Sequence, residues 1–190
     1  MGDWLGDSPL GLAYGQVRLA PSDPSWPGAF QRLAAELQAA LGELVVAVEH
    51  VGSTAVPGLE AKPILDVAIG LAPGTDPESG HHRTASAGCP VPRGQGRQGG
   101  LLLVLEDRPA HWVTHLHLVG HGDVQWRHYL ALRERLRADP AARAAYAQLK
   151  GRLAVQFSWD RRAYTAAKAA FMGHLLSEDG RNGHADRADQ

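Results

Sequence analysis

Two strand patterns separated by a glycine turn restrict this chain to a layered α/β fold. Leu44 to Val48 is a short β-branched run that leads straight into Gly52-Ser53-Thr54. From Ile64 to Ile69 a second run alternates, so that Asp66 shares one face with Ile64 and Ala68, while Leu65, Val67 and Ile69 point into a core. A Gly-Ser-Thr turn between a strand and a following helix offers N–H groups and two hydroxyls to a phosphate, at the positive end of the helix dipole. A carboxylate on the neighbouring strand that can hold Mg²⁺ is the other part that phosphoryl chemistry requires. The same residues also suit an ordinary strand-to-helix turn with a Ser or Thr cap.

The rest of the chain supplies the layers. Residues 1–15 are expected to form a loose, glycine-rich arm, with one edge strand at Gln16 to Leu19. Asp23-Pro24 starts a helix in which Phe30, Leu33, Leu37 and Leu41 share a face, and Gly42 stops it. Residues 72–100 carry Gly, Pro, Ser and Arg without a period and are expected as a flexible insertion or flap. Leu101–Leu105 and Trp112–Val119 resume as strands, the second with Val113, His115, His117 and Val119 on one face. Three helices follow: Val124 to Ala138, one from Asp139-Pro140, and one from Asp160 that buries Tyr164, Ala167, Phe171 and Leu175. Residues 177–190 read as a disordered tail.

Composition narrows the partners. A formal charge of −1 gives no general attraction to nucleic acid or to an anionic membrane. No apolar run approaches the roughly 20 residues of a membrane span, and no basic-then-apolar leader opens the chain, so a cytoplasmic location is expected. Cys89 is the sole cysteine, which excludes an intrachain disulfide and a zinc site built on cysteines. Nothing in the sequence sets an oligomeric state.

The block Glu49-His50-Val51-Gly52-Ser53-Thr54-Ala55-Val56-Pro57-Gly58 with Lys62-Pro63-Ile64-Leu65-Asp66 resembles the signature of GrpB-like proteins, compact members of the nucleotidyltransferase superfamily. The resemblance continues through Asp23-Pro24-Ser25-Trp26, His115-Leu116-His117, Arg133 to Leu136, Tyr146 to Lys150 and Asp160 to Lys168, covering residues 16–176 as one domain. It implies an α/β (α+β) fold: a nucleotidyltransferase-like mixed sheet flanked by helices, with a helical C-terminal third. It also implies a nucleoside triphosphate pocket and a divalent metal, Mg²⁺ or Mn²⁺. Enzymes of the superfamily typically carry a second acid two residues after the first; here that position is Ala68, and the later strand offers His115 and His117. One metal, held by Asp66 with His117 or His115, is the most these residues support.

The resulting expectation is metal-dependent transfer from a nucleoside triphosphate to a small-molecule acceptor. Gly52, Ser53, Thr54 and Lys62 would hold phosphates, with Arg133, Lys150 and Lys168 as further nucleotide contacts. Asp66 and His117 would hold the metal, and His115 would orient or deprotonate the acceptor. Two rivals remain open: a non-catalytic nucleotide or metabolite sensor, and ATP-dependent activation of a carboxylate for condensation. Gly94-Gln95-Gly96-Arg97-Gln98-Gly99 matches a dinucleotide fingerprint in letters but lacks the strand before it and the helix after it. His81-His82 reads as a solvated loop pair, and Glu49 and His50 are weak candidates because one of the two must face away from any site.

Overall fold

The computed structural model describes residues 4–86, 93–95 and 100–185. Six strands form one mixed sheet: β1 (Leu12–Ala13), β2 (Val45–Val51), β3 (Leu65–Leu71), β4 (Arg93–Gln95), β5 (Leu101–Arg108) and β6 (His111–Gly120). Their order is β2-β3-β6-β5-β4, and β1 pairs with the start of β6 at Trp112, just before β3 joins it at Thr114. Among the described residues only the β3–β6 pair is parallel; the other pairings are antiparallel. This is the mixed α/β architecture that the family resemblance implies.

Helix α1 (Trp26–Leu41) covers one face of the sheet. Pro27 sits in its first turn and the Asp23 carboxylate accepts from the Ser25 N–H at 2.8 Å, which orients the entry. Its face of Ala29, Leu33, Leu37 and Leu41 packs on Leu65, Val67, Ile69 and Leu71 of β3 and Leu116 and Leu118 of β6. Each leucine so buried stabilises the fold by roughly 1.5–3 kcal/mol. The opposite face is covered by α3 (Val124–Ala138), whose Trp126 packs with Val51, Ala68 and Val119. Helices α4 (Pro140–Gln156) and α5 (Arg161–Ala185) follow; the Asp139 side chain caps α4 by accepting from the N–H groups of Ala141 and Ala142.

Five expectations are corrected. The N-terminal segment packs rather than hanging loose: Trp4, Leu10 and Leu12 are at most 7% exposed, because each finds an apolar place at the margin of the sheet. The edge strand falls at Leu12–Ala13 instead of 16–19, and an isolated bridge, Ala20 to Ala61, forms just after that segment. Within the supposed flap, α2 (Pro77–Ser86) forms a regular helix, with the Asp76 carboxylate accepting from the Glu78 N–H at 3.1 Å. An Asp-Pro start is present there as at residues 139–140, but α2 docks through small residues. A Cβ on Gly80 would lie 2.8 Å from the Leu118 side chain, and Thr84 is fully buried, so no apolar stripe announces the helix. His81 and His82 lie on this helix, not on a loop. Finally, α5 continues past Ser177 to Ala185. The rest of the insertion at 87–92 and 96–99, most of the 94–99 glycine motif, and residues 186–190 lie outside the described residues.

Candidate active site

The parallel register of β3 on β6 sets Asp66 opposite His115 and Ala68 opposite His117. Both imidazoles therefore turn to one carboxylate oxygen: Asp66 Oδ1 lies 3.0 Å from His115 Nδ1 and 3.3 Å from His117 Nε2. Burial alone would raise the Asp66 pKa, but the bonds from His115 and His117 hold it well below the usual carboxylate range. Asp66 is thus an anion at neutral pH, and both facing nitrogens must donate to it. Burial pushes the His115 imidazole down to about 4 against the raising effect of Asp66, so its neutral form donates from Nδ1 and keeps a lone pair on Nε2. His117 uses its other nitrogen as well: Nδ1 lies 3.0 Å from the hydroxyl of Tyr129 on α3.

Asp66 and His115 line a small cleft with Ser53, Thr54, Lys62, Ile64, Lys150, Tyr164 and Lys168. The Gly-Ser-Thr turn is positioned by the β2–β3 pairing, which ends with Val51 opposite Asp66. Gly52 adopts φ +69° and ψ −167°, and a Cβ there would lie 2.5 Å from Asp66 Oδ2, so the backbone approaches the carboxylate directly. The helix expected after the turn is only a single 3₁₀ turn, Ser53–Ala55. The helix dipole invoked from the sequence is therefore absent, and side-chain cations take its place.

Two of these cations, Lys150 and Lys168, come from far along the chain. Lys150 on α4 is 1% exposed and donates to the Glu60 carbonyl, and its ammonium lies 4.9 Å from the centroid of the Tyr146 ring. Lys62 and Lys168 lie 5.4 and 4.7 Å from the centroid of the Tyr164 ring. Burial, helped by Arg161 and Lys168, pulls Lys62 down to about 7; burial and Lys168 do the same to Lys150. Asp66 is the sole acid among the lining residues.

Arg133 does not join them. It donates to Glu49 Oε2 at 2.7 Å and to the His50 carbonyl at 2.8 Å, while Arg137 donates to the Ala55 carbonyl, so both guanidinium groups brace the 49–55 segment from α3. His50 is likewise structural: it is buried, stacks on Phe30 at 4.8 Å and lies 3.0 Å from the Thr54 hydroxyl. Two residues that the sequence reading did not single out belong to the site's surroundings, Tyr129 and Arg161. Arg161 lies within the resembling stretch Asp160 to Lys168, but no local pattern marks it as facing the sheet.

His50 gives a testable pH dependence. Burial lowers its pKa to about 4, with Asp66 raising it and Arg137 and Arg133 lowering it. The folded state then binds fewer protons than the unfolded chain between about pH 6.5 and 4, so stability is intact above 6.5 and erodes as pH falls toward 4. His50→Gln, which can still bond Thr54, is expected to flatten the fall of Tm between pH 6.5 and 4.5. Parallel Tm–pH curves for wild type and variant would refute this.

Fold and cleft together define a small α/β domain with a cation-rich pocket around one ionised carboxylate. The family model described as GrpB protein matches residues 16–178, and the chain belongs to the GrpB family. A UPF0157 protein of Pseudomonas aeruginosa is 35% identical over 162 residues, covering 85% of this chain and 66% of that protein, just under two thirds of its length. The glutamate-rich protein GrpB of Alkalihalophilus pseudofirmus is 31% identical over 172 residues, covering 89% of this chain and 99% of that one. Among solved structures, the conserved protein GrpB from Enterococcus faecalis superposes with a TM-score of 0.73 at 28% identity, over 85% of this chain and 96% of that one. No helix among the described residues is long and apolar enough to cross a membrane.

Proposed function

We propose that this cleft binds the phosphate tail of a nucleoside triphosphate and that the protein transfers a group from it to a small-molecule acceptor. The observation that carries the reading is the charge imbalance of the pocket: Lys62, Lys150 and Lys168 face Ser53 and Thr54 with Asp66 as the only lining carboxylate. Buried ammonium groups are costly unless an anion meets them, and a polyphosphate supplies that anion. Ser53 and Thr54 add hydroxyl donors, and Gly52 lets the backbone close on the site.

Among the described residues no group of three or more His, Cys, Asp and Glu is arranged to hold a metal ion. The donors do fit a Mg²⁺ or Mn²⁺ that arrives with the nucleotide, since Mg²⁺ is commonly held by one or two carboxylates plus substrate phosphates. Asp66 would hold it, because Oδ2 takes part in none of the described hydrogen bonds; His117, engaged at both nitrogens, would ligate only by releasing Asp66. Such an ion would neutralise phosphate charge and polarise the phosphoryl group. His115, neutral with its Nε2 lone pair free, would orient or deprotonate the acceptor.

One observation favours the rival reading of a non-catalytic nucleotide sensor. Ala68, where a second acid would stand, is fully buried against Trp126, Val51 and Val119. A conformational change within this packing could not supply the missing carboxylate.

Thermal shift separates a binding site from a chance cluster. Tripolyphosphate and nucleoside triphosphates, with and without Mg²⁺, are expected to raise Tm, by the equivalent of about 2.7 kcal/mol at a ligand concentration 100 times Kd. Lys62 and Lys150 have folded pKa values near 7, below that of free lysine, and a bound anion pulls them back up. Binding thus takes up protons, and the shift should be larger at pH 6.5 than at pH 8.5. Lys168→Met should remove most of it; an equal shift in that variant would sink the reading.

A further inference from the structure

Next to the lysine pocket lies a cation that nothing described so far uses. Arg161, at the start of α5, has its Nε and both terminal nitrogens buried, with no hydrogen-bond partner among the described residues. Its guanidinium carbon sits 4.1 Å from the centroid of the Trp112 ring. The Trp112 ring meets both His115, at 5.7 Å, and Tyr14, at 5.2 Å, in edge-on contacts. Asp66 is close enough to stabilise the guanidinium charge, but its bonded oxygen is already taken by His115 and His117. Buried polar groups are satisfied in the great majority of cases. A guanidinium with three orphaned nitrogens, held over an indole that also meets the His115 imidazole, is a half-made ion pair.

We propose that Arg161 anchors a second subsite, which takes the carboxylate of a small planar acid lying along Trp112 between Tyr14 and His115. This rests on reading the lysine cleft as the phosphate pocket, because it assigns the neighbouring cation to the other ligand. The division of labour follows from the side chains. Ammonium groups are compact point charges suited to a polyphosphate, whereas the guanidinium fork matches the two coplanar oxygens of a carboxylate. The aromatic walls suit a flat body. Tyr14 is 64% exposed, and its hydroxyl takes none of the described hydrogen bonds, so it can swing aside to admit the ligand.

The test uses benzoate and inorganic phosphate as probes on the full chain, with and without saturating tripolyphosphate. Binding is followed through the Trp112 indole N–H signal, assigned by Trp112→Phe. Benzoate is expected to shift that signal in the presence of tripolyphosphate. Arg161→Gln should weaken benzoate about tenfold or more while leaving tripolyphosphate within about twofold, and Arg161→Lys should not restore it. Because an unpaired buried charge is removed, Arg161→Gln should keep or raise Tm; a lowered Tm would mark Arg161 as structural and overturn the proposal. It is also overturned if benzoate leaves the Trp112 signal unmoved or binds the variants as well as wild type. Competition between benzoate and tripolyphosphate, or phosphate taking benzoate's place at Trp112, would overturn it too. Benzoate binding at Trp112 without any tripolyphosphate binding supports this subsite and sinks the phosphate reading of the lysine cleft alone.

Discussion

Gly52→Ala is expected to damage both the fold and the site. The backbone at Gly52, φ +69° and ψ −167°, lies in a region that only glycine occupies freely, and forcing alanine into it costs about 1–3 kcal/mol. The methyl group would also fall 2.5 Å from Asp66 Oδ2 and 2.8 Å from its Cβ, so the carboxylate must move or the turn must open. Either movement breaks the hydrogen bonds to His115 and His117 that keep Asp66 ionised. Chemical denaturation should show the loss of stability, and the tripolyphosphate thermal shift should fall in the variant that remains folded. An alanine variant as stable as wild type, with its ligand shift unchanged, would mean that Gly52 and Asp66 are not in contact.

Asp66→Ala is expected to separate metal from phosphate. It removes the one lining carboxylate, so the part of the nucleotide thermal shift that depends on Mg²⁺ should disappear. The metal-free tripolyphosphate shift should persist or grow, because a negative charge has left a pocket of lysines. The variant also leaves two imidazole N–H donors unpaired, at a cost of about 1.5–3 kcal/mol for bonds to a charged group. Because its folded pKa is depressed, the stability that Asp66 contributes is present above the unfolded value of about 3.9 and is lost as pH falls through the folded one. The wild-type advantage over Asp66→Ala should therefore be full at neutral pH and shrink in strong acid. If the Mg²⁺-dependent shift survives in Asp66→Ala, the carboxylate is not where the ion binds.

Arg133 and Lys150 show how far residue type alone can mislead about roles. Both are cations on C-terminal helices with the same claim to a phosphate. Arg133 is consumed by Glu49 and a backbone carbonyl, whereas Lys150, nearly inaccessible to solvent, opens onto the cleft. Which of them meets the site depends on how α3 and α4 lie over the 49–60 segment. No periodicity within either helix records that.

What the sequence determined by itself was local. Alternation placed Asp66 opposite Leu65, Val67 and Ile69 on its strand, and His115 and His117 on one face of theirs, because the strand period of two is a property of the backbone. Asp139-Pro140 marked the start of α4 for the same reason, since the cap and the proline act within one turn; α1 begins at Trp26, two residues after Pro24, with Pro27 in its first turn. The tertiary structure decided which faces meet. The parallel register that aims His115 and His117 at one Asp66 oxygen joins residues 49 and 51 positions apart. Lys150, Lys168, Tyr129 and Arg161 arrive from helices whose packing is fixed by the whole core. A periodic pattern specifies the side of an element on which a side chain stands, but the element that covers that side is chosen by burial summed over the entire chain.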